Sequence, residues 1–154
     1  GAGRTLPTKG KVFLTVKDSD KRNIVMVART LVSLGFELVA TQGTYKLLSR
    51  HGLAVERVNK VHEGRPHVVD LIKNQEVGLI INTPLGKVTR HDDGMIRSEA
   101  YQANIPCLTT VSAANAALEG IEALLSKEAE VTRLQDFFPA EQVVEIPPVG
   151  SATP

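Results

Sequence analysis

Val77-Gly78-Leu79-Ile80-Ile81-Asn82 is the stretch on which the fold class turns. It carries no charge and ends at Thr83-Pro84, where the proline has no N–H for a ladder and biases its predecessor away from helix. A strand that is apolar on both faces has to be covered on both, which is the condition of a parallel sheet flanked by helices. Working outward, Val12-Phe13-Leu14-Thr15-Val16 and Phe36-Glu37-Leu38-Val39-Ala40 repeat the pattern, with weaker strands near 55–58 and 107–109. Helical spacing fills the gaps. Asp18-Ser19-Asp20 offers oxygen caps to a helix in which Ile24, Val27, Ala28, Leu31 and Leu34 share a face until Gly35 stops it. Further helices are predicted over 43–50, from Pro66 in a first turn through Lys73, and over 95–103 after a polar loop at 85–94. A last one over 112–125 buries Ala116, Leu118, Ile121, Leu124 and Leu125. This alternation of strands and helices places the chain in the α/β class.

The 154 residues suit one core, and 42% hydrophobic with 23% charged residues is the balance of a globular chain. The expected layout is a linker at 1–10, a domain at 11–126 and a partly disordered, proline-bearing tail at 127–154. No window is long and apolar enough for a bilayer span and no signal peptide opens the sequence, so the expected location is cytoplasmic. A net charge of +1, from 18 basic and 17 acidic residues, gives no field for nucleic acid or an anionic membrane. The one cysteine, Cys107, reads as a buried inert thiol. The four histidines, His51, His62, His67 and His91, form no i, i+4 pair on a continuous helix, because Pro66 interrupts the close pair. No metal site is expected.

In an open parallel sheet the ligand crevice lies beyond the carboxyl ends of the strands. The residues there are Asp18-x-x-Lys21, Thr41-Gln42-Gly43-Thr44, Asn59-Lys60, Asn82-Thr83 and Thr109-Thr110. Hydroxyls, amides and lysines beside helix N-termini are what a phosphate monoester requires. Gly43 permits a tight turn that aims both threonine hydroxyls at one anion; the plainer alternative is a strand-to-helix turn with threonine as N-cap. Lys21, a cation in a helix's first turn, opposes the macrodipole, so helix stability gives it no reason to be there; a solvated surface charge is the alternative. Lys60 at a second strand end adds to the anion reading. Asp92-Asp93 suits either Mg²⁺ or a base, or simply a turn or cap beside Gly94. No G-x-G-x-x-G follows the first strand, and neither a G-x-S-x-G elbow nor an NTPase phosphate loop occurs.

Glu37-Leu38-Val39-Ala40-Thr41-Gln42-Gly43-Thr44, then Val58-Asn59-Lys60-Val61-His62-Glu63-Gly64-Arg65-Pro66-His67, then Ile80-Ile81-Asn82-Thr83 closely resemble the large subunit of bacterial carbamoyl-phosphate synthetase. The resemblance, over about residues 6–125, implies the methylglyoxal-synthase-like fold: a five-stranded parallel sheet between two helical layers. It further implies a C-terminal regulatory domain that binds nucleotide monophosphate effectors such as UMP and IMP and does no chemistry itself. The parent protein it implies is a ligase serving pyrimidine and arginine synthesis. The implied partners are the synthetase body and the glutaminase small subunit, with no cofactor in this domain and room for a homo-oligomer. By motif, the family's effector-phosphate residues fall on Lys21, Thr41, Thr44 and Lys60, and its other effector contacts on Asn82, Thr83 and Asp92. Thr109 lies near a threonine linked in the family to ornithine activation, and Pro84 replaces a threonine that some members carry.

The rival is methylglyoxal synthase itself, a lyase acting on dihydroxyacetone phosphate with the same fold. Its reaction needs a carboxylate base, which that family places by a G-G-D run. The matching stretch here is Glu63-Gly64-Arg65, and a guanidinium accepts no proton.

Overall fold

The computed structural model describes residues 6–83 and 90–137. Strands β1 (Lys11–Thr15), β2 (Glu37–Ala40), β3 (Val55–Arg57), β4 (Val77–Asn82) and β5 (Cys107–Leu108) form one parallel sheet in the order β3-β2-β1-β4-β5. The helices are α1 (Lys21–Ser33), α2 (Gln42–Arg50), α3 (Val68–Lys73), α4 (Arg90–Gln102) and α5 (Val111–Phe137). Phe13 sits opposite Val39 and Ile80, and these three point to one face, where they meet Val68, Val69 and Ile72 of α3 and Ile96 and Ala100 of α4. Leu14, Ala40 and Ile81 are their neighbours in register and face the other way, equally buried. Right-handed crossovers put α1 and α2 on that second face, so the sheet lies between two helical layers. Each fully buried leucine, isoleucine or phenylalanine contributes roughly 1.5–3 kcal/mol, which makes this double-sided sheet the seat of stability.

The helix ends depart from expectation for physical reasons. Asp18–Asp20 forms a 3-10 turn, and Asp20 at the N-cap of α1 makes no side-chain cap bond, because the carboxylates turn to lysines instead. At the other end Gly35 takes φ 99° and the Phe36 N–H bonds the Leu31 carbonyl at 3.0 Å, closing the helix as a glycine stop should. Pro66 does not enter α3; it follows a cis peptide from Arg65, and the helix starts at Val68 with His67 as its N-cap. Helix α4 is described from Arg90, so Asp92 and Asp93 lie within a helix rather than in a loop. Their side chains, and Pro84, lie outside the described residues. Cys107 is half-buried, packed at the rim of the core rather than within it.

α5 buries Ala114, Ala117, Leu118 and Ile121, leaving Ala116 and Leu124 exposed, and it runs twelve residues past its expected end at 125. Its apolar periodicity fades near Leu125, but residues 122–134 contain no glycine or proline and are rich in Ala, Leu, Glu and Lys, whose intrinsic preference is helical. The chain divides into units 1–121 and 122–154; the described part of the second is this exposed helical continuation, which occupies the first eleven residues of the expected tail. The rest of that tail, 138–154, lies outside the described residues. Leu6 and Pro7, expected in a linker, are packed: Cβ atoms built on Gly120 and Gly78 would meet them at 2.9 and 3.3 Å. No described helix is long and apolar enough to cross a membrane.

Candidate functional site

The strand order reverses between β1 and β4, and the crevice beyond their carboxyl ends is where such sheets hold ligands. Four buried polar side chains gather at this end of the sheet: Thr41, Thr44, Asn82 and Thr83, each no more than 3% exposed. Buried hydroxyls need partners, and here they stitch the strand ends together. The Thr44 hydroxyl accepts the Val16 N–H at 3.3 Å, the Thr83 hydroxyl accepts the Lys17 N–H at 2.9 Å, and the Thr41 and Thr15 hydroxyls share a bond of 3.0 Å. The Thr83 N–H continues the β1–β4 ladder onto the Thr15 carbonyl at 3.0 Å. Thr44 and Thr83, bonded as acceptors, each keep a hydroxyl proton that can be donated.

Thr41 occupies the N-cap of α2, but its side chain makes no cap bond; its hydroxyl donates to Thr15 instead. The first N–H groups of α2 therefore lack a side-chain acceptor from the N-cap and form an anion-friendly end. Gly43 lies inside the helix rather than in a tight turn, and it marks where Lys21 arrives: a Cβ built there would be in ordinary contact with the Lys21 ammonium, at 3.4 Å. The fold thus brings Lys21, from α1, onto the start of α2. The same ammonium bonds Asp18 at 2.7 Å, and this contact, first by hydrogen bond and then by charge, holds the Asp18 carboxyl below its usual range.

Lys60 emerges on the same side of the sheet, because the Val58 N–H bonds the Ala40 carbonyl at 2.9 Å and the chain runs on past β2's end. It is half-buried, and it opens a 3-10 turn (Val61–Glu63) in which the Glu63 carboxylate accepts the Lys60 N–H at 2.6 Å. The Asn59 amide donates to the Gly64 carbonyl at 3.3 Å. Asp70, absent from the sequence-derived candidates, closes this loop: one oxygen takes Arg65 at 2.6 Å and the other the His67 N–H at 2.9 Å. These two bonds hold its carboxyl at about 2. Asp70 stands three residues after an N-cap, the position from which a carboxylate reaches back to the cap's N–H, and that spacing was its one signal in the sequence.

Thr109 stands apart from the lysine and threonine cluster. With Lys17, Asp20, Asn23, Ser112 and Asn115 it lines a separate cleft of about 560 Å³ between α1 and the start of α5. The structure therefore groups Lys21 with Thr41 and Thr44, sets Lys60 at the same sheet end, and places Asn82 and Thr83 across β1 from them.

The sequence pattern of the MGS-like domain matches residues 23–109. Over 137 residues the chain is 52% identical to the carbamoyl phosphate synthase large chain of Pseudomonas putida, covering 89% of this chain and 13% of that protein. It is 47% identical to the C-terminal section of the same large chain in Methanopyrus kandleri, covering 88% and 25%. Among solved structures, methylglyoxal synthase from Elizabethkingia anophelis NUHP1 superposes with a TM-score of 0.58 at 23% identity, over 75% of this chain and 80% of that one. The chain spans about an eighth of the length of its full-length relative and belongs to the MGS-like domain family, with the fold expected of it.

Proposed function

We propose that this MGS-like domain binds the phosphate of a nucleotide monophosphate effector, of the UMP and IMP class, and thereby regulates carbamoyl-phosphate synthesis by a large chain of which it forms part. What supports the reading most is one juxtaposition: the Lys21 ammonium against Gly43 at the start of α2, with Thr44 and Thr41 buried beside it. A cation, helix N–H groups and a hydroxyl that can still donate are complementary to a phosphate dianion. In this reading Lys21, Thr41, Thr44 and Lys60 hold the phosphate, while Asn82, Thr83 and Asp92 meet the rest of the nucleotide. Thr109 belongs to the ornithine response. The signal passes to the synthetase body, which works with a glutaminase subunit in the cytoplasm and feeds pyrimidine and arginine synthesis.

Calorimetric titration with UMP, IMP, uridine and inorganic phosphate tests this. The nucleotides and phosphate are expected to bind, uridine far more weakly than UMP, and added salt to weaken the binding of UMP. Uridine binding as tightly as UMP, or no heat with any phosphate, overturns the reading. A lyase reading has less support. Arg65 stands where the base is needed, and the carboxylate that the fold brings beside it, Asp70, is already committed to two charge-assisted bonds and is a weak base. Incubation with dihydroxyacetone phosphate is expected to give no methylglyoxal; turnover that tracks the purified protein would reverse the order of the two readings.

A further inference from the structure

We propose that Asp18 is a built-in competitor for the phosphate site: its carboxylate occupies the Lys21 ammonium until an incoming phosphate displaces it. This rests on the phosphate reading given above and adds a residue that sets the affinity of that site.

The Lys21 ammonium has two surroundings at once. Asp18 bonds it at 2.7 Å, and the first turn of α2 lies within contact distance at Gly43. The lysine side chain is 31% exposed and hence confined, whereas the Asp18 side chain is 90% exposed and faces water apart from this one bond. Asp18 takes one of the three donors of the ammonium, so a phosphate bound at the start of α2 shares that ammonium with a carboxylate, and two anions on one ammonium repel. The pair also keeps the Asp18 carboxyl below its usual range, so the competitor is charged at neutral pH, where the phosphate is charged too. An ion pair this open to solvent is weak, so it acts as a threshold that a strong ligand crosses rather than as a lock. Asp20, two residues on, is a natural control: it faces Lys17 at 3.9 Å, carries the same charge and forms no ion pair with Lys21 among the described residues.

Removing the charge frees the ammonium and also removes the repulsion. Since an exposed pair corresponds to a factor of up to about five, Asp18→Asn is expected to tighten phosphate binding by roughly threefold to tenfold. The experiment titrates inorganic phosphate and UMP into the 154-residue chain and into Asp18→Asn, Asp18→Glu and Asp20→Asn variants. Affinity is measured by calorimetry, and the Gly43 amide resonance reports where binding occurs. Asp18→Asn should tighten both ligands, while Asp18→Glu and Asp20→Asn stay within about twofold of the parent. Equal affinity for Asp18→Asn and the parent, or an equal gain in Asp20→Asn, overturns the competitor and leaves the phosphate reading standing. A silent Gly43 amide in all four proteins, with no heat, overturns both.

Discussion

The first turn of α2 with its cap, residues 41–44, and the 59–67 loop both present groups suited to a phosphate, and they are held in place by opposite means. In the turn, Thr41 and Thr44 are buried and their hydroxyls are tied to the backbone and side chain of β1's end. In the loop, Glu63, Gly64, Arg65 and Pro66 are exposed, and the chain is fixed by carboxylates: Glu63 on the Lys60 N–H, Asp70 on Arg65 and His67. A site built in this way has one half whose groups also stabilise the fold and another half that contributes charge at little structural consequence. Substitutions in the two halves should therefore separate binding from stability.

The largest effect on binding is expected at Lys60. A charge-assisted hydrogen bond is worth roughly 1.5–3 kcal/mol, so Lys60→Ala should weaken UMP about tenfold to a hundredfold. Its stability in urea should stay within about 0.5 kcal/mol of the parent, because the side chain packs in no core. Wild-type affinity in this variant would remove Lys60 from the site, and a large stability loss would break the contrast between the two halves.

Thr44→Val, unlike Lys60→Ala, should cost stability. The methyl fills the space of the hydroxyl, but the Val16 N–H, bonded to that hydroxyl at 3.3 Å, is left without an acceptor in a buried place. Stranding such a group costs about 1–3 kcal/mol, visible as a lower urea midpoint with an unchanged slope. Phosphate affinity should fall as well, since the donatable proton is lost. Undiminished stability would mean that the turn is not a structural element.

These halves differ in how far the sequence discloses them. The apolar run at Val77–Asn82 is legible because burial on both faces leaves no choice of residue, and the strand ends follow from it, which brings Lys21, Thr41, Thr44, Lys60, Asn82 and Thr83 into view. The bonds among them are not legible. Thr44 meets Val16 across 28 positions, and Lys17 meets Thr83 across 66, distances over which no local pattern reports. Gly43 invites a turn because glycine so often makes one, yet here it lies within α2, next to the Lys21 ammonium. The helical state of 90–94 is hidden for a different reason: Arg90-His91-Asp92-Asp93-Gly94 has no apolar spacing to mark a helix. The continuation of α5 past Leu125 rests on propensity alone, a weaker signal than periodicity.

The smallest effect, and the one that sharpens the comparison, is a pH dependence confined to the loop. Asp70 titrates at about 2 in the folded chain against 3.8 for the free side chain, chiefly because Arg65 and the His67 N–H bind its ionised form. A carboxyl whose folded value is depressed contributes stability that is fully present above the unfolded value and is lost as pH falls toward the folded one. The window is therefore from about 3.8 down to about 2. Asp70→Asn cannot ionise, so it should be less stable than the parent at pH 5, and the gap should narrow at pH 3 as the parent's own contribution fades. Thr44→Val changes no titrating group, and its deficit should be the same at both values. Urea midpoints of the three proteins at pH 5 and pH 3 decide the matter. A gap for Asp70→Asn that does not narrow would show that Asp70 holds the loop by shape rather than by charge, and the two halves of the site would then be built alike.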